Sequence, residues 1–128
     1  MYTAVGLFDA CKAVLPYLRK ADGATIVNVS SRLGSISNVS SGKFDHIAVS
    51  YGMRMAKAAQ NMLSASLYRE IKNIGISVFS VHPGRILTRM GSPDADMLPE
   101  EAAKRFMNWL EKIRQEREFG FFDAVGEE

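Results

Sequence analysis

Over residues 2–20, apolar side chains recur at helical spacing: Val5, Phe8, Val14, Leu15 and Leu18 fall near one face, with Asp9, Lys12 and Arg19 elsewhere. The spacing predicts a helix, either bent or with a separately formed last turn at Pro16, where a backbone donor is lost. Asp22-Gly23 stops it, and the β-branched run at 24–30 reads as a short buried strand. Residues 32–50 are rich in Ser, Gly and Asn, which predicts a long functional or mobile loop. A second helix is predicted over 51–73 on the series Met55, Ala59, Met62, Leu63, Leu67 and Ile71, with Gly75 as its stop. Residues 76–81 read as a strand buried on both faces, broken by His82-Pro83-Gly84. Pro99, Glu100 and Glu101 suit a helix N-terminus, and Phe106, Trp109, Leu110 and Ile113 form the apolar stripe of a helix over 99–117. Residues 119–125 supply a last strand.

The resulting order, α-β-α-β-α-β, implies an α/β fold with a parallel sheet and right-handed crossovers. Three parallel strands leave backbone groups unpaired on at least one flank, so the sheet is expected to be part of a larger one. The first predicted element is a helix, and no Gly-x-Gly-x-x-Gly turn for a pyrophosphate occurs in the 128 residues.

Length and composition narrow the partners. One hundred and twenty-eight residues, 47% hydrophobic and 23% charged, fit a single globular domain over 1–128. The apolar runs fall far short of a bilayer span and no secretory leader is visible, so a cytoplasmic protein without a membrane partner is expected. A net charge of +2 with interspersed signs gives no basic stripe for nucleic acid. The single cysteine, Cys11, excludes an intrachain disulfide, and with His46 and His82 it makes no zinc ligand set. The Asn-Val-Ser sequons at Asn28 and Asn38 are read as unmodified in a cytoplasmic chain.

Three ordered motifs, Ile26-Val-Asn-Val-Ser-Ser31, Met53-Arg-Met-Ala-Lys-Ala-Ala59 and His82-Pro-Gly-Arg-Ile-Leu-Thr88, resemble the short-chain dehydrogenase/reductase family. Ser31-Arg-Leu-Gly-Ser-Ile36, Ser50-Tyr51-Gly52, Met90-Gly-Ser-Pro93 and Phe122-Asp-Ala-Val-Gly126 look similar to the C-factor and sniffer-type carbonyl reductases. The resemblance covers nearly all of this chain but only the second half of a family member. It implies a partial Rossmann-like, doubly wound parallel sheet lacking the N-terminal Gly-rich βαβ half.

By that resemblance the cofactor is NAD or NADP and the substrate a small carbonyl or alcohol. Ser31 matches the catalytic serine, whose hydroxyl holds a substrate carbonyl; its alternative is a serine that merely ends a strand. Lys57 matches the lysine that contacts the nicotinamide ribose and lowers the pKa of a tyrosine one turn earlier. That earlier position is Met53, which can neither donate nor accept a proton.

On a continuous helix Tyr51, six residues before Lys57, faces elsewhere and reads as a packing or loop-anchoring residue. Pro83, Gly84, the Ile86 backbone and the Thr88 hydroxyl match the nicotinamide-contacting segment, or else form a plain strand-to-loop turn. Thr3 stands where the family often has an asparagine, and Arg85 and Arg89 read as solvated loop charges. The resemblance further implies a homo-oligomer through the helices at 2–20 and 51–73. Two functions follow: an NAD(P)-dependent oxidoreductase impaired at Met53, or a non-catalytic remnant acting as an interaction or oligomerisation module.

Overall fold

A computed structural model describes residues 2–89, 95, 97–113 and 118–124. Its elements are α1 (Tyr2–Leu18), β1 (Thr25–Val29), α2 (Ile36–Ser40), α3 (Tyr51–Ile71), β2 (Ser77–His82), α4 (Pro99–Ile113) and β3 (Phe121–Asp123), with 3-10 turns at Arg32–Gly34 and Lys72–Ile74. The end of the last predicted helix, Met90-Gly-Ser-Pro93 and Val125-Gly126 lie outside the described residues. The strands are parallel in the order β1-β2-β3, so the expected α/β alternation and sheet are present.

Strand alternation divides the sheet into two faces. Ile76 and Val78 turn toward α1 and α3, where they pack with Ile71, Leu15, Leu18, Ile26, Leu67 and Tyr68. Phe79 turns the other way and meets Trp109 of α4 edge-on at 6.3 Å, with Phe122 of β3 at 5.8 Å. Helices therefore cover both faces, which makes the sheet a partial, doubly wound Rossmann-like one. β2 is the buried central strand, whereas β1, outermost among the described residues, is half-exposed rather than buried on both faces as its sequence suggested. A β-branched run specifies a strand but not how many neighbours will cover it.

The helices differ from expectation in which stripe they bury. In α1 the inward positions are Cys11, Leu15 and Leu18, while Val5, Phe8 and Val14 stay exposed. The two stripes are neighbours on the helix surface, and apolar spacing alone does not say which one the sheet will take. α1 continues through Pro16 to Leu18, two residues short of the predicted end. In α3, Ile71 is buried and Leu67 packs against the core as expected, but Met55 and Met62 are exposed and Gln60 and Ser64 are buried. The loop predicted over 32–50 contains the Arg32–Gly34 turn and α2, each started by a serine hydroxyl that accepts from a backbone amide, Ser31 from Leu33 and Ser35 from Asn38. Gly75, at φ 78°, ends the α3 region in the left-handed conformation that glycine adopts without strain.

Phe79 is fully buried at the centre of the aromatic cluster under α4. Phe79→Ala should lower unfolding stability by about 3–5 kcal/mol, read from urea unfolding followed by Trp109 fluorescence.

Candidate active site

Toward the carboxyl ends of the strands, the surface facing α3 changes from apolar to polar. Asn28 donates to the Ser64 hydroxyl at 2.6 Å, and the Ser30 hydroxyl donates to Asn61 Oδ1 at 2.5 Å. The Val29 carbonyl, at the end of β1, accepts from Lys57 Nζ at 3.2 Å and from Gln60 Nε2 at 3.1 Å. Lys57 also donates to Gln60 Oε1 at 3.1 Å, which closes a three-membered network. These bonds hold the middle of α3 over the strand ends and fix the lysine head there. Burial lowers the Lys57 pKa from its ordinary value, because desolvation disfavours the ammonium.

Ser31 follows directly after β1, and its hydroxyl caps the 3-10 turn by accepting from the Leu33 amide at 3.2 Å. That turn lies hard against α3: a Cβ on Gly34 would stand 2.6 Å from the carbonyl carbon of Lys57 and 2.8 Å from the amide of Ala58. The absence of a side chain at Gly34 thus brings the Ser31 turn and the Lys57 turn of α3 into contact. Arg32 Nε lies 3.8 Å from Asp123 Oδ2 and links the same turn to the end of β3.

Ser50 caps α3 through the Met53 amide, and the helix runs unbroken from Tyr51 to Ile71. Met53 is 48% exposed in the first turn, four residues before Lys57, while Tyr51 is 87% exposed. With the helix begun at Tyr51, the offset of about 120° between positions six apart keeps that phenol off the Lys57 side. Thr3 is exposed in the first turn of α1.

After β2 the chain turns at Pro83 and at Gly84, whose φ is 92°. Leu87 donates to the Met97 carbonyl at 2.9 Å and Met97 to the Arg85 carbonyl at 3.3 Å, forming a parallel bridge at Ile86. In such a bridge the intervening residue turns its own amide and carbonyl to the opposite side, so the Ile86 backbone is directed away from Met97. The Thr88 side chain is exposed. Among the described residues no group of three or more His, Cys, Asp or Glu could hold a metal ion, and no helix is long and apolar enough to cross a membrane.

Two features of this site escaped the sequence reading. Gln60, which the sequence pattern did not single out, is buried and shares the Val29 carbonyl with Lys57. His82 was read as part of a strand break, yet it ends β2 with both ring nitrogens buried and without a partner among the described residues. An alternation count along 76–82 puts His82 on the same face as Ile76 and Val78, which was the available signal.

A parallel sheet covered on both faces, with its polar side chains gathered at the strand carboxyl ends, defines the class of Rossmann-like α/β proteins. The family model for short chain dehydrogenases matches residues 2–99, and the chain belongs to that family. It is 30% identical over 125 residues to C-signal of Myxococcus xanthus, covering 98% of this chain and 72% of that protein. Among solved structures it is similar to the NADPH-bound carbonyl reductase from chicken fatty liver, at TM-score 0.79 and 27% identity. It is also similar to the carbonyl reductase Sniffer of D. melanogaster, at TM-score 0.78 and 29% identity. In both cases 91% of this chain is covered, and the chain spans about half of the other, 49%.

Gly34→Ala forces either the Ser31 turn or α3 to shift and should cost about 1–3 kcal/mol of stability, measured by thermal unfolding. The accompanying sign of a displaced turn is loss of the Leu33 amide's hydrogen-exchange protection.

Proposed function

We propose that this chain is the nicotinamide- and substrate-facing part of an NAD(P)-dependent reductase of small carbonyl compounds, with its proton delivery impaired at Met53. The observation that carries the reading is Lys57, held at the Val29 carbonyl beside the Ser31 turn and one helical turn after Met53. The NADPH-bound state of the chicken carbonyl reductase, a similar structure, supports the cofactor class.

The residues present fit the nicotinamide end of such a cofactor. Gly84 bends the chain away at the end of β2, the Ile86 backbone is turned off its bridge, and the Lys57 ammonium is held at the same strand ends. The pyrophosphate end is different, because residues 1–128 contain no Gly-x-Gly-x-x-Gly turn. When bound, a reduced nicotinamide supplies hydride to the carbonyl carbon. Ser31 would hold the substrate oxygen by its hydroxyl, and Lys57 would bind the ribose and keep positive charge near the site. The oxygen must also gain a proton, and the thioether of Met53 has none to give.

The test uses this chain combined with the Gly-rich half of a related carbonyl reductase. Calorimetry should detect NADPH binding by the pair and not by the chain alone, and the pair should reduce carbonyls slowly. Met53→Tyr in the pair should raise turnover by about 100-fold, while Tyr51→Phe changes it little. If Tyr51→Phe abolishes turnover and Met53→Tyr brings no gain, the reading of Met53 is wrong.

A second reading, an interaction module, is favoured by one observation: α1 leaves Val5, Phe8 and Val14 exposed, and α3 leaves Met55 and Met62 exposed. A groove of about 370 Å³ between these helices is lined by Phe8, Cys11, Leu15, Leu63 and Leu67. Self-association through α1 and α3 covers this surface in either reading. Sedimentation at micromolar concentrations should give a dimer that Phe8→Glu converts to monomer. A monomeric parent protein would remove the self-association reading.

A further inference from the structure

His82 occupies a position that the reductase reading leaves without a role. Its side chain closes the α3-facing side of β2, and its backbone carbonyl accepts from the Ala124 amide at 2.9 Å. In the β2–β3 register its partner is Asp123, and parallel partners in register project to the same face. On the other flank lies Ser30, whose amide donates to the Val81 carbonyl and whose hydroxyl is given to Asn61. Both imidazole nitrogens are buried without a partner among the described residues. A neutral ring so placed forfeits hydrogen bonds it would make in water.

The charged groups acting on His82 come from three elements: Arg32 from the 3-10 turn, Lys57 from α3 and Asp123 from β3. Two of these are cations and one is a carboxylate. A proton on the ring adds a positive charge that competes with Arg32 for that carboxylate. Lys57 is held by the Val29 carbonyl and Gln60, whereas Arg32 makes a loose 3.8 Å approach to Asp123 and its side chain is 32% exposed, already near water.

We propose that His82 and Arg32 compete for the Asp123 carboxylate, so that protonated His82 takes it, Arg32 leaves for solvent, and the turn that begins at Ser31 is loosened. The exchange makes the active-site turn sensitive to mild acid. At neutral pH the Arg32–Asp123 pair, the Ser31 cap and the contact of Gly34 with α3 hold the turn together. Protonation removes the first of these and leaves the other two. The inference needs no cofactor or turnover and stands apart from the reductase reading.

The direction of the pH effect follows from His82's surroundings. Burial first, and then the Arg32 charge, lower its pKa below the ordinary 6.5; Asp123 pulls it upward by less than that, and Lys57 adds a smaller lowering. The unfolded chain therefore binds this proton more readily. The associated stability is complete above pH 6.5 and is lost as pH falls through the lower, folded value.

The exchange is tested by NMR titration of the whole chain. The His82 ring resonance, the Arg32 Nε–H and the Asp123 carboxyl carbon are followed together, with amide protection factors at Leu33, Gly34 and Ser35. Expected is a His82 midpoint below 6.5 at which Arg32 Nε–H loses protection and the three amides lose about 10-fold, while Val78 and Phe79 in β2 stay protected. His82→Gln should remove the step and keep the turn protected; Asp123→Asn should leave the turn loosened at every pH. Arg32 remaining protected through the His82 midpoint in the parent protein would overturn the proposal, as would the same step in His82→Gln. Simultaneous loss of protection in β2 would overturn it in favour of whole-fold acid unfolding, and this readout does not depend on either variant folding.

Discussion

A carbonyl where a strand ends needs a partner, and the way Val29 obtains two of them organises the rest of the site. Lys57 and Gln60 both donate to it from the buried side of α3, three residues apart and on one face of the helix. Asn28 with Ser64 and Ser30 with Asn61 repeat the same kind of contact on either side of that carbonyl. Buried polar groups are tolerated where each finds a partner, and their directionality then fixes position more tightly than apolar packing does. The two halves of α3 thus have different duties. Its C-terminal half anchors the core through Leu67 and Ile71, and its N-terminal half locates Lys57 against the strand ends.

The Ser31 turn is located by a different device, a missing side chain. Gly34 lets the turn approach the α3 backbone within a distance that no Cβ would allow, so a steric fact rather than a hydrogen bond joins Ser31 to the Lys57 region. The Arg32–Asp123 approach adds a third strand to this assembly. Ser31, Lys57 and His82 come from three different elements, and the parallel sheet gathers them at its carboxyl end because every strand finishes there.

Family membership and chemical competence are separate questions. The chain belongs to the short-chain dehydrogenases, while in the reading proposed above Met53 stands four residues before Lys57, where a hydroxyl would be needed to deliver the proton. A methionine there preserves helix propensity and packing volume but supplies no acidic hydrogen. A scaffold can persist when one side chain of its site changes. For the same reason a fold by itself is weak evidence for turnover.

The alternation of elements, the parallel sheet, the strand at 76–81 and the stop at Gly75 were legible in the sequence, because β-branched runs, helical spacing and glycine placement act locally. The ordered motifs drew attention to Ser31 and Lys57, which the structure brings to the carboxyl end of β1. Tertiary structure alone decided which helix stripe would be buried. Of the predicted stripes it kept Leu15, Leu18, Leu67 and Ile71, added Cys11, Gln60 and Ser64, and left Val5, Phe8, Val14, Met55 and Met62 exposed. Spacing is a property of one helix, whereas burial depends on what the opposing strands present. Here the carboxyl end of the sheet presents Asn28, Ser30 and the Val29 carbonyl, which polar side chains can satisfy and methionines cannot.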